Sequence, residues 1–127
     1  MRLSAQSGYD RFVLEFTGPV PGYAVRYVKA PIREDPSNKV VIVAGNAFLQ
    51  IRLEPASGTD LASNNAKQTY TGPDRIRSDS AVVTEAVLTG DFEAVMSWVL
   101  GVDGRHPFRV STLQSPSRLV VDIAVTP

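Results

Sequence analysis

The chain is 127 residues long, the usual size of one domain, and carries 13 basic and 13 acidic residues for a formal net charge of zero. Charge is balanced along the chain too, with 7 basic and 6 acidic residues in the first 64 and 6 and 7 in the last 63, which argues against a nucleic-acid or anionic-lipid partner. Because cysteine is absent, disulfides, thiolate metal sites and cysteine nucleophiles are excluded.

Alternating apolar and polar residues predict strands in the first half of the chain. In the first strand Phe12, Leu14 and Phe16 point to one side and the residues between them to the other. In the last strand of this half, the same alternation places Phe48 on the outward side. The predicted strands cover residues 11–16, 23–28, 40–43 and 47–53, with a Gly/Pro-rich turn over 18–22.

A polar stretch over about residues 56–81 separates the two halves. It has few apolar residues and many Ser, Asn, Asp and Thr. So long an irregular segment is uncommon inside a compact domain, which predicts either a mobile excursion or a functional loop.

The second half returns to strand patterns. A turn is predicted at Gly90-Asp91, between the first two strands, and a second at Asp103-Gly104. A helix over residues 83–100 is the alternative, but β-branched residues and Gly90 argue against it. The predicted strands of this half cover residues 82–89, 92–102, 108–113 and 119–125. We therefore predict one all-β domain over residues 1–127, a β-sandwich of about eight mainly antiparallel strands.

The two ends of the chain repeat each other at an offset of 107 residues. Residues 2–4 (RLS) match 109–111 (RVS), and residues 11–16 (RFVLEF) match 118–123 (RLVVDI). Alternation puts the arginine and the acid of each copy on the polar face of its strand. The match predicts pseudo-symmetric terminal hairpins with equivalent roles; chance likeness between β patterns is the alternative.

The order of these motifs resembles a known family. Residues 9–16 (YDRFVLEF) and 18–23 (GPVPGY) are similar to the opening of the AMIN-like domain of actinobacterial envelope proteins. The later matches are TGDFE at 89–93, WVLG at 98–101, PFRV at 107–110 and SRLVVD at 117–122. The resemblance covers nearly the whole chain except the polar stretch.

The resemblance implies an extracytoplasmic all-β domain of the cell envelope, secreted or lipid-anchored. Through the related AMIN domains of cell-wall amidases and pilus-pore secretins, it also implies peptidoglycan or envelope targeting without catalysis. Membrane association would then come only from a lipid anchor outside this sequence. Met1 leads directly into Arg2 without a signal or lipobox, which suggests either a cytosolic protein or one domain of a longer one.

The catalytic residues of common enzymes are not evident, so we predict no enzyme, no cofactor and no metal site. His106, the single histidine, is expected to be a solvated loop residue, and one histidine without cysteine does not make a zinc site. No nucleophile elbow or phosphate loop occurs. A hydrolase acting through Asp91 and Glu93 is a minor hypothesis, because neither carboxylate lies in an apolar setting that would raise its pKa.

Binding is better supported than catalysis. Aromatic rings stack on sugars and arginines hold carboxylates with two hydrogen bonds, so peptidoglycan is the expected partner. The candidate ligand-binding residues are Arg11, Tyr23, Arg26, Tyr27 and Arg109. Alternatively the tyrosines and Trp98 pack on the core, and the arginines pair with Glu15 and Asp122 on neighbouring strands.

A protein–protein interaction module is the second hypothesis. It would dock on an envelope or membrane protein through exposed strand edges and through Phe48, which alternation places outward.

Overall fold

The computed structural model describes residues 2–16, 19–34, 37–54, 59–60, 67–68, 75–78, 80–92 and 95–125. These residues form strands and connecting segments, and none of them belongs to a helix that could cross a membrane. The strands are β1 (Arg2–Gln6), β2 (Tyr9–Phe16), β3 (Gly22–Val28), β4 (Ile32–Arg33), β5 (Val40–Val41), β6 (Ala47–Glu54), β7 (Thr59–Asp60), β8 (Lys67–Gln68), β9 (Arg75–Arg77), β10 (Val83–Phe92), β11 (Val95–Val102), β12 (Phe108–Leu113) and β13 (Ser117–Ala124).

Two antiparallel sheets account for most of the strands. The four-stranded sheet has the order β1-β2-β13-β12, and the five-stranded sheet has the order β3-β6-β11-β10-β9. Two short ladders, β4-β5 and β7-β8, lie outside them. The all-β class and the mainly antiparallel sandwich are therefore confirmed.

One core joins the inner faces of the two sheets. Phe12 of β2 and Ile123 of β13 belong to the same buried cluster as Ile51 of β6 and Trp98 of β11. The Phe12 and Trp98 rings meet edge to face with 5.7 Å between their centroids. Trp98 is thus a core residue, the alternative left open for it above.

A second, smaller cluster covers part of the other face of the five-stranded sheet. Val87 and Val99 point to this outer face and are buried beneath Ile32 and Val43. The chain between β3 and β6, which includes β4 and β5, therefore forms a partial third layer.

The predicted turn at Gly90-Asp91 is wrong. Gly90 lies opposite Ser97 and Asp91 opposite Met96, so β10 continues through both residues. The pairing shifts register between Leu88 and Gly90. A glycine that sits at a β-bulge has the same sequence signal as a turn glycine, because both positions favour a residue without Cβ. The helical alternative over residues 83–100 is excluded by the same ladder.

The terminal hairpins lie side by side in the four-stranded sheet, and their inner strands obey the predicted symmetry. Val13 lies opposite Val120, and the rows on either side of that pair are Arg11 opposite Asp122 and Glu15 opposite Arg118. A local two-fold axis through the valine pair exchanges these rows.

The outer strands do not keep the offset of 107. Arg2 lies opposite Val13, whereas Ser111 lies opposite Val120, so the spatial equivalent of Arg2 is Ser111 and not Arg109. The cause is turn length. Two residues separate the last paired residues of the first hairpin, Gln6 and Tyr9, whereas four separate Leu113 and Arg118 in the second. A slip of two residues preserves the face on which each side chain lies.

The polar stretch over residues 56–81 is only partly described. Its last part includes β9, which pairs with β10 at the edge of the five-stranded sheet. Whether the stretch is mobile or functional is a prediction that falls largely on residues 55–58, 61–66, 69–74 and 79, outside the described residues.

Candidate functional site

The outer face of the four-stranded sheet concentrates positive charge. Strand register places four arginines and two acids on this side, one or two from each strand. We call the surface formed by Arg2, Arg11, Glu15, Arg109, Arg118 and Asp122 the arginine face. It holds two more cations than anions, although the whole chain is neutral.

Two depressions lie on the arginine face. One has a volume of about 500 Å³ and is lined by residues that include Tyr9, Arg109 and Asp122. The other has a volume of about 440 Å³ and is lined by residues that include Arg2 and Arg118. Arg11 lies in the lining of both, so the two depressions adjoin on this face.

Arg11 and Asp122 form an ion pair at the first depression. Nε and Nη2 of Arg11 donate to the two carboxylate oxygens of Asp122 over 2.8 and 3.1 Å. The hydrogen bond to Asp122 raises the pKa of Arg11. The guanidinium also lies over the ring of Tyr9, 5.3 Å from its centroid. This confirms the alternative in which Arg11 pairs with Asp122 on the neighbouring strand.

The other three arginines have no carboxylate partner within the described part of the chain. Arg118 is half-buried and donates from Nε to the carbonyl of Pro116 over 3.1 Å and from Nη2 to that of Gln114 over 3.4 Å. Arg2 and Arg109 are exposed. Their guanidinium groups are therefore available to an anionic ligand.

The candidate residues predicted from sequence fall into two groups. Arg11 and Arg109 come together on the arginine face, while Tyr23, Arg26 and Tyr27 lie on β3 in the other sheet. Arg26 points outward, opposite Gln50. The five residues therefore do not form one site.

The two tyrosines of β3 lie on its inner side. Tyr27 packs against the core, and its hydroxyl donates to the carbonyl of His106 over 2.6 Å. Burial raises the pKa of Tyr27. Tyr23 is 46% exposed at the end of the strand. Tyr27 therefore acts in packing, in keeping with the structural alternative.

Phe48 is on the outer side of β6, but it is not free. It is partly buried against the cluster formed by Ile32, Val43, Val87 and Val99. Much of the ring is therefore already covered by the chain's own third layer.

The groups considered for catalysis are dispersed. The expectation that His106 is solvated is wrong: it is 9% exposed, and its Nε2 lies 2.5 Å from Oδ1 of Asp103. Asp91 is exposed on β10, and Glu93 lies outside the described residues. Among the residues that the structure describes, no group of three or more His, Cys, Asp and Glu side chains could hold a metal ion.

Arg2 and Arg118 occur in the terminal repeat, but they are not among the candidate ligand-binding residues predicted from the sequence. The sequence does contain a signal for them, because Arg2 matches Arg109 and Arg118 matches Arg11 in the terminal repeat. Their common face follows only from the pairing of β2 with β13, which joins residues more than 100 positions apart.

Comparison with known proteins adds a family. The family model of the AMIN-like domain matches residues 1–125. Comparisons with curated proteins and with solved structures find no match.

Proposed function

Since this chain belongs to the AMIN-like domain family, we propose that it binds peptidoglycan and thereby holds its parent protein at the cell wall. AMIN-like domains are in general non-catalytic modules associated with peptidoglycan or envelope targeting, and they act outside the cytoplasm. Binding by this particular chain, and secretion or lipid anchoring of its parent protein, are the parts that we propose.

The arginine face is the observation that carries the proposal. Peptidoglycan has free carboxylates on its peptide stems, and a guanidinium binds a carboxylate with two parallel hydrogen bonds. Arg109 is exposed, borders the larger depression and has no carboxylate partner in the described part of the chain. Tyr9 lies in the same depression and adds an aromatic surface for a sugar.

The shape of the face also favours a polymer. Four strands at roughly 4.8 Å spacing give a surface about 15 Å wide, and the two depressions lie along it. Small substrates are usually held in concave, mostly apolar pockets, whereas the lining of each of these depressions includes three charged residues.

A pull-down with purified cell-wall sacculi tests this function. We expect the wild-type domain to be enriched over an unrelated β-sandwich, and Arg109→Ala to weaken binding by about tenfold, the equivalent of one lost charge-assisted contact of about 1.4 kcal/mol. Arg26→Ala is the matched control, since it removes the same charge from the outer face of the other sheet. Equal recovery of the wild type and the unrelated protein at low and moderate salt would contradict the proposal.

A second candidate function is docking on an envelope protein. It is favoured by Val40 and Ile42, which are 50% and 77% exposed and belong to the third layer that covers Phe48. Because Phe48→Asp would place a charge against a buried cluster, Ile42→Asp is the cleaner test. Loss of a co-purified envelope protein on Ile42→Asp, with unchanged sacculus binding, would favour this function.

A further inference from the structure

The four-stranded sheet contains its own example of carboxylate recognition. At one end of its central strand pair, Asp122 is held by Arg11 through two hydrogen bonds. The local two-fold axis relates this row to Glu15 and Arg118 at the other end. Yet Glu15 is exposed, and Arg118 donates to main-chain carbonyls instead. An arginine and a carboxylate are therefore paired with each other at only one of these two symmetry-related ends.

The guanidinium of Arg118 is oriented by two main-chain carbonyls and not by a carboxylate of the described residues. Its bonds to the carbonyls of Gln114 and Pro116, both exposed to solvent, orient the guanidinium without neutralising it. Such orientation lowers the entropy that a ligand must remove from the side chain. Arg2 lines the same depression of about 440 Å³, so two arginines border one groove in addition to Arg11, which is paired with Asp122.

We infer that Arg118 and Arg2 form a carboxylate-binding subsite that holds a free stem carboxylate of peptidoglycan, in the way that Arg11 holds Asp122. This inference rests on the proposed function. The chemistry fits, because all the cations of this face are arginines, and the planar guanidinium matches a carboxylate better than a lysine ammonium does.

Glu15 lowers the affinity of this subsite for a carboxylate. It lies directly opposite Arg118, so its negative charge opposes an incoming carboxylate. Interactions between exposed charges amount to only about 0–1 kcal/mol, so Glu15 weakens the binding of a ligand that makes several contacts without preventing it. Removing this charge should therefore strengthen binding, an effect that a purely structural role for Arg118 does not predict.

The experiment is a nuclear magnetic resonance titration of the isotopically labelled chain. The probes are a soluble muropeptide with free stem carboxylates and the same muropeptide with its carboxylates amidated. We expect the free form to shift signals of residues around Arg118 and Arg2, and the amidated form to bind at least about fivefold more weakly.

Four variants complete the design. Arg118→Lys keeps the charge but loses the two-pronged geometry, and Arg2→Ala removes the second cation; each should raise Kd about fivefold. Glu15→Gln should lower Kd about threefold, whereas Glu54→Gln, which removes the same charge from the outer face of the other sheet, should leave it unchanged.

The outcomes separate the subsite from the proposed function. If the domain binds sacculi but has equal affinity for the free and the amidated muropeptide, the subsite is wrong and the proposed function is not contradicted. Muropeptide binding that is insensitive to Arg118→Lys and to Glu15→Gln also overturns the subsite. A third outcome is that acetate or an acidic peptide binds at Arg118 while neither sacculi nor the muropeptide binds. In that case the proposed function is wrong, and so is the assignment of a peptidoglycan stem carboxylate to the subsite.

Discussion

Glu85 shows how a buried carboxylate remains charged in this fold. Its side chain is 2% exposed, yet Oε1 accepts from Nη1 of Arg75 over 2.6 Å and Oε2 accepts from the amide of Ala44 over 2.8 Å. Burial alone would raise the pKa of Glu85, but the Ala44 amide and Arg75 outweigh it, so the pKa lies below its ordinary value of 4.5.

The lowered pKa of Glu85 predicts a loss of stability in acid. A group whose pKa is depressed on folding contributes stability that is complete above its unfolded pKa and disappears as pH falls through its folded pKa. We expect the free energy of unfolding by urea to decrease below about pH 4.5, and Glu85→Gln to flatten part of that decrease while costing about 2 kcal/mol near neutral pH.

The control for Glu85 is Glu54→Gln, an exposed carboxylate whose ion pair with Arg52 spans 3.6 Å. Its effect on the pH profile should be small, because exposed pairs contribute little. Parallel pH profiles for the wild type and Glu85→Gln would show that this carboxylate is not held as described.

Gly101 of β11 lets the chain before β6 pack on the five-stranded sheet. A Cβ at position 101 would overlap the carbonyl of Ala44 and approach Oγ1 of Thr84 to 2.9 Å. Thr84 itself donates to the carbonyls of Ala44 and Gly101. The absence of a side chain at Gly101 is therefore what permits this close approach of two backbones.

Gly101→Ala should destabilise the domain by about 2 kcal/mol or more, because the clash is with backbone that cannot rotate away. Gly104→Ala is the matched control: its Cβ would meet only Nε2 of His106, at 3.8 Å, an ordinary contact. Thermal unfolding of the two variants provides the comparison. A similar melting temperature for both would mean that the Ala44 segment does not pack as described.

At the level of strands, sequence was a good guide wherever one face is buried. Six strands, β2, β3, β5, β6, β12 and β13, begin and end within two residues of their predicted bounds. Because alternate residues of these strands are buried, apolar and polar residues alternate along them in the sequence. It fails at Gly90, where a bulge imitates a turn, and in the outer strands of the terminal hairpins, where turn length sets the register.

At the level of the whole molecule, the arginine face is hidden from composition. The net charge is zero, and the basic residues are spread evenly over both halves of the chain. The face forms because folding pairs β2 with β13 and brings Arg11 and Arg118 onto one surface. A charge pattern that depends on long-range pairing cannot be obtained from local sequence, which is why Arg26 was grouped with Arg11 and Arg109.

Asp10 is the polar link between the two sheets. It lies on the inner side of β2 with no exposed surface, and its carboxylate accepts from the amides of Ala81, Val82 and Val83 over 3.2, 2.8 and 2.9 Å. These amides lead into β10 of the other sheet, and Asp103 donates from its own amide to the carbonyl of Val82. The Asp10 side chain thus holds the start of β10, in the five-stranded sheet, against β2 of the four-stranded sheet.

Asp10→Asn should therefore loosen the whole sandwich. Asparagine offers one carbonyl oxygen in place of two carboxylate oxygens, so its NH2 group must face either the amide of Ala81 or those of Val82 and Val83. At least one of these amides then loses its acceptor, at a cost of about 2 kcal/mol. We expect a lower free energy of unfolding and faster hydrogen exchange at one or more of the amides of Ala81, Val82 and Val83. Glu15→Gln, on the outer side of the same strand, removes an exposed charge and should leave that exchange unchanged. If both variants exchange like the wild type, Asp10 does not join the sheets.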